Sequence, residues 1–70
     1  MIRTGTQVSW AWGSGRATGT VEEVHRDTVR RTIKGEDITR HGSEDDPAYV
    51  IATDSGSRVL KLASEVERAG

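Results

Sequence analysis

Gln7-Val8-Ser9-Trp10-Ala11-Trp12-Gly13-Ser14-Gly15 alternates large apolar residues with small or polar ones and then places two glycines within three positions. Residues two apart share a face of an extended strand, so Val8, Trp10 and Trp12 line one side and Ser9 and Ala11 the other. The glycines tolerate the positive φ angles that a tight reversal demands. A strand that carries both tryptophans of the chain and ends in such a turn predicts a β fold, with Trp10 buried in the core and Trp12 partly exposed beside Gly13.

Working outward, the next strand runs from about Arg16 to Val24. Within it Val21 and Val24 are three apart, so both can face inward only if the strand bends or bulges between them, and Gly19 eases the same curvature. From Arg26 to His41 the sequence predicts a β-hairpin around Lys34-Gly35-Glu36-Asp37, with Ile33 and Ile38 paired across a four-residue loop. That hairpin reads as an excursion from the barrel. Pro47 cannot enter the middle of a strand, so the following strand spans Ala48 to Thr53. Asp54-Ser55-Gly56-Ser57 then turns the chain into Arg58 to Leu62. Ala63 to Val66 is too short for a stable helix and reads as one helical turn before a last edge strand. The expected fold is all-β: a small, strongly bent five-stranded barrel with an extra hairpin and a short helical turn.

With 70 residues the chain is expected to form one domain over 1–70, because neither half of a split would bury enough apolar surface. It has no cysteine, which excludes disulfides, thiolate zinc sites and cysteine nucleophiles. Met1-Ile2-Arg3-Thr4-Gly5 opens without a signal-like apolar run, and no stretch approaches the ~20 apolar residues of a membrane span. A soluble cytoplasmic protein without membrane contact is the expectation. Ten basic and eleven acidic residues leave a formal net charge of -1, so attraction to nucleic acid has to come from a local patch. Apolar content is only 33%, yet two tryptophans and many Val and Ile residues place the chain among folded domains.

Gly5-x-x-Val8-x-Trp10-x-Trp12-Gly13-x-Gly15 with Gly19-Thr20-Val21 resembles a family of small bacterial and fungal domains, the hypervirulence-associated Tudor domains. Thr32-Ile33-Lys34-Gly35, Ile38-Thr39-Arg40, Ser43-Glu44-Asp45-Asp46-Pro47-Ala48-Tyr49-Val50-Ile51, Val59-Leu60-Lys61-Leu62 and Ser64-Glu65-Val66 extend the similarity over nearly the whole chain. The resemblance implies an SH3-like, Tudor-type barrel. It assigns no reaction and no residue role, since fold membership does not license function.

Catalysis finds no constellation in the sequence. Gly13-Ser14-Gly15-Arg16-Ala17-Thr18-Gly19 has its third glycine one residue too late for a dinucleotide fingerprint and leads into a strand rather than a helix N-terminus. No serine sits in a nucleophile-elbow pattern, and His25 and His41 lack an evident third partner. Those histidines read as surface residues that could approach each other across the base of the hairpin, without the carboxylates a metal site needs. Glu44-Asp45-Asp46 lacks the alternating oxygen ligands of a calcium loop and reads as a solvated turn that offsets charge on the nearby hairpin. No catalytic, cofactor or metal residue is assigned, and the chain is expected not to be an enzyme.

Recognition has more to work with. Arg26, Arg30, Arg31, Lys34 and Arg40 meet only Asp27, Glu36 and Asp37 along the hairpin, a local excess of two positive charges. Such a patch beside exposed aromatics suits phosphate backbones, while edge strands also carry Arg and Lys simply to discourage aggregation. The Tudor resemblance suggests an aromatic cage for a methylated lysine or arginine, but the chain offers only Trp10, Trp12 and Tyr49, which the core also needs. The sequence therefore predicts a non-catalytic module that binds a protein or peptide through Trp12, Tyr49 and the basic hairpin. A nucleic acid is the alternative partner, and an open barrel edge permits a monomer or a weak homodimer.

Overall fold

The computed structural model describes residues 2–69; Met1 of the opening segment and Gly70 lie outside the described residues. Seven strands follow one another: β1 (Gln7–Trp12), β2 (Gly15–His25), β3 (Thr28–Ile33), β4 (Glu36–His41), β5 (Ala48–Thr53), β6 (Arg58–Leu62) and β7 (Glu67–Arg68), with a 3₁₀ turn at Ala63–Glu65. They form an antiparallel five-stranded sheet in the order β6-β5-β2-β1-β7 and a separate hairpin, β3-β4. The expected all-β class holds. The ladders do not close into a five-stranded barrel among the described residues: β7 is two residues long and meets only Val8 and Ser9 of β1, so β6 stays at the sheet's edge.

Turn chemistry fixes the registers. Trp12 pairs with Gly15, and Gly13 alone of the two turn residues takes a positive φ of 58°, the pattern of a type II′ hairpin. Between β3 and β4 the loop is two residues rather than four. Ile33 pairs with Glu36, and Lys34 (φ 52°) and Gly35 (φ 79°) form a type I′ turn. The type I′ twist matches that of the flanking strands, so the ladder continues to the turn and Ile38 falls opposite Arg31 instead of Ile33.

The β2-β5 ladder slips between Val21 and Glu23, the bulge that the Val21/Val24 spacing requires. Glu22 is the extra residue. Val21 and Val24 consequently reach the same apolar cluster, opposite Ile51 and Tyr49, while Glu23 and His25 turn to the other face with Val50 and Ala48.

That second face is not solvated. Ala48, Tyr49, Val50 and Ile51 are all buried, so β5 packs on both sides. Tyr49 and Ile51 join Val8, Trp10, Val21 and Val66. Ala48 and Val50 join Leu60 and Val29, with Ile33, Ile38 and Leu62 packed against them. The hairpin therefore covers the sheet and is not an excursion from it. Its inner face carries Val29, Ile33 and Ile38, and side chains two apart on each strand deliver them together.

Polar contacts hold the cover and the last turn in place. Glu23 Oε1 accepts from the Arg31 guanidinium across the hairpin–sheet interface, and Arg40 Nε lies 3.6 Å from Glu65 Oε1. Glu65 Oε1 also accepts the Leu62 N–H at 2.8 Å, tying the 3₁₀ turn to the same contact. Asp46 accepts from the backbone N–H of Ser64 at 2.7 Å and from its hydroxyl at 2.8 Å. Part of the acidic loop is thus a cap for that turn.

Candidate functional site

Trp12 is the only exposed large hydrophobic side chain among the described residues, with 72% of its surface accessible. It shares a face with Val8 and Trp10, but it stands at the last ladder position before the β1-β2 turn, past the strands that bury its neighbours. Its indole borders an open groove of ≈ 440 Å³ formed where the tip of the β3-β4 hairpin approaches β6. Ile33, Ile38 and Val59 give this groove an apolar lining, and Lys34, Arg40, Arg58 and Lys61 stand around it with Glu36.

Trp12, Lys34 and Arg40 of the sequence-expected recognition set come together here. Tyr49 does not, and its expected exposure is corrected: at 3% accessible it belongs to the core, because β5 is packed on both faces. Burial also raises the pKa of its phenol above the usual value of 10.0, so the ring stays neutral. Trp10 is 2% accessible, which leaves a single exposed ring where a methyl-lysine cage needs several.

The basic hairpin divides. Arg31 is on its inner face, bonded to Glu23, beside a second cleft along β3. Arg26 Nε lies 3.6 Å from Glu44 Oε2, so the acidic loop does offset hairpin charge. Arg30 points outward, opposite Thr39, away from the groove. His25 and His41 each have a polar partner of their own: His25 Nε2 is 2.8 Å from Glu23 Oε1, and His41 Nδ1 is 3.1 Å from Thr28 Oγ1. Among the described residues no group of three or more His, Asp or Glu side chains is arranged to hold a metal ion.

Glu23 receives both His25 and Arg31, and those two hydrogen bonds hold its carboxyl below its ordinary pKa of 4.5. Its chemistry is structural, a charged pin between sheet and cover.

Ile33, Ile38, Val59, Arg58 and Lys61 belong to the groove and are absent from the sequence-expected set. One signal pointed to them. The unbroken apolar run Ala48-Tyr49-Val50-Ile51-Ala52 departs from alternation, which marks a strand covered on both sides and requires another element to pack over it.

No helix of the described residues is long and apolar enough to cross a membrane. A family model for the TUDOR domain of hypervirulence associated proteins matches residues 5–66. No curated protein and no solved structure matches the chain.

Proposed function

The chain belongs to the hypervirulence-associated TUDOR domain family, and we propose that it is a small, non-catalytic, cytoplasmic binding module that recognises a protein or peptide through the groove beside Trp12. The observation that carries this reading is the exposure of Trp12. A domain this small needs its large apolar side chains for packing, and leaving an indole in water sacrifices burial worth about 1.5–3 kcal/mol for a large side chain. Exposed tryptophans beside apolar depressions are the residues that anchor protein interfaces.

Nucleic acid is the weaker reading. Arg26 and Arg31 face Glu44 and Glu23 within the chain, and Arg30 stands apart from the groove, so the basic hairpin presents no continuous track for phosphates. A lone exposed ring also offers no platform for successive bases.

The test is capture from an extract of the source cells, with and without nuclease, by the parent chain, Trp12→Ala and Trp12→Phe. Partners retained after nuclease, lost with Ala and kept with Phe support the module. Capture that nuclease abolishes, or that Trp12→Ala leaves intact, rejects it.

A further inference from the structure

The geometry points to an acidic peptide segment bearing one apolar side chain as the occupant of the Trp12 groove, an inference that rests on the binding-module reading. Four of the chain's ten cationic side chains, Lys34, Arg40, Arg58 and Lys61, line this groove, and a single carboxylate, Glu36, accompanies them. The whole chain carries a net charge of -1, so this is a local concentration and not a reflection of overall charge.

The four cations differ in how far the protein already satisfies them. Arg40 and Arg58 turn their Nε atoms to Glu65 and Glu22, at 3.6 Å and 2.6 Å. A guanidinium has further N–H donors, and an incoming carboxylate can use those. Lys34 and Lys61 have no carboxylate within ion-pair distance among the described residues. Lys34 is also exposed, in the type I′ turn at the tip of the hairpin.

Between these charges the surface is apolar, made by the Trp12 indole with Ile33, Ile38 and Val59. An apolar slot bordered by cations is complementary to a chain segment with an apolar anchor flanked by Asp or Glu. The anchor contributes affinity by desolvation, and the flanking carboxylates contribute orientation and association rate. Basic segments are disfavoured by like charge on both sides of the slot. Oligonucleotides share the anionic character, but aliphatic walls and one ring suit a side chain better than a run of stacked bases.

The experiment titrates the full ¹⁵N-labelled chain with pools of short synthetic peptides. One pool has a central Leu, Ile, Phe or Trp flanked by Asp and Glu, a second has the same centres flanked by Lys and Arg, and a third keeps the acidic flanks around Gly. Oligouridylate is a fourth probe. The acidic, apolar-centred pool is expected to shift the Trp12 indole N–H and the amides of Lys34 and Lys61, with each other pool at least about tenfold weaker. Lys34→Glu combined with Lys61→Glu is expected to weaken that pool at least about tenfold with the thermal melt unchanged, and Lys34→Glu alone serves if the double variant does not fold.

Equal binding by the basic or glycine-centred pool, tighter binding by oligouridylate, or no shift from the acidic pool at about millimolar concentration would overturn the assignment. Basic-pool binding that vanishes in Trp12→Ala removes the acidic assignment and leaves the module reading standing. Absence of any Trp12-dependent capture from extract removes both.

Discussion

Trp10 and Trp12 sit two residues apart on one face of one strand and have opposite fates, which makes them the sharpest pair of probes in the molecule. Trp10→Ala removes a buried indole at about 3–5 kcal/mol, comparable to the total stability of so small a domain, and is expected to abolish a cooperative melt. Trp12→Ala is expected to change stability by less than about 0.5 kcal/mol, as exposed positions do. Calorimetry of the two variants checks both, and equal losses would mean that Trp12 is packed. This contrast was legible in the sequence, because alternation places both rings on one face and the Gly13 turn marks where the strand leaves its neighbours. The burial of Tyr49 was not legible from its residue type; it depends on the hairpin lying over β5. Lys34 is a different residue-scale case: it occupies a left-handed conformation (φ 52°) that glycine adopts freely. Lys34→Gly is expected to raise stability by up to about 1 kcal/mol, a few degrees in Tm, and a lower Tm would contradict the type I′ turn. Gly42 shows the converse, since a Cβ there would lie 2.6 Å from the His25 carbonyl oxygen and 2.9 Å from the Ala48 nitrogen. Backbone cannot move aside as a flexible side chain does, so Gly42→Ala is expected to cost about 1–3 kcal/mol in chemical denaturation.

The β2 bulge and the β3-β4 hairpin are linked by parity. One extra residue, Glu22, lets Val24 rejoin the core and swings Glu23 toward the cover, where it meets Arg31. The Val21/Val24 spacing announced the bulge, but which carboxylate it would present to the hairpin depended on the two-residue loop that sets the register of Arg31. Because the folded state holds the Glu23 carboxyl below its ordinary 4.5, its stabilising contribution is complete above that pH and is lost as pH falls through the lowered value. Denaturant midpoints measured from about pH 6 down to pH 3 should therefore fall more steeply for the parent than for Glu23→Gln. Parallel curves would show that the pin carries no net stability. Arg30 and Arg31 separate on the same logic: Arg30→Glu is expected to leave the melt unchanged, whereas Arg31→Glu faces Glu23 with a like charge and lowers it.

At the scale of the molecule, a curled five-stranded sheet and a hairpin laid across it use nearly all the bulky apolar side chains in two clusters separated by β5. The radius of gyration of 11.2 Å matches the roughly 11 Å of a compact chain of this length. The two clusters leave one indole outside, at the seam where hairpin tip and sheet edge meet, and four cations gather around that seam from β3-β4 and β6. Individual strands could be read from the sequence because their signals are local. The groove could not, because it exists only where residues of three successive hairpins, β1-β2, β3-β4 and β5-β6, come together in the folded chain. Site-specific photo-crosslinking tests most directly whether this seam is the recognition surface, using the full chain with p-benzoylphenylalanine at position 12 or, separately, at position 30, in nuclease-treated extract of the source cells. A discrete protein adduct from position 12 with none from position 30 is the predicted result, and adducts from position 30 with none from position 12 would contradict it.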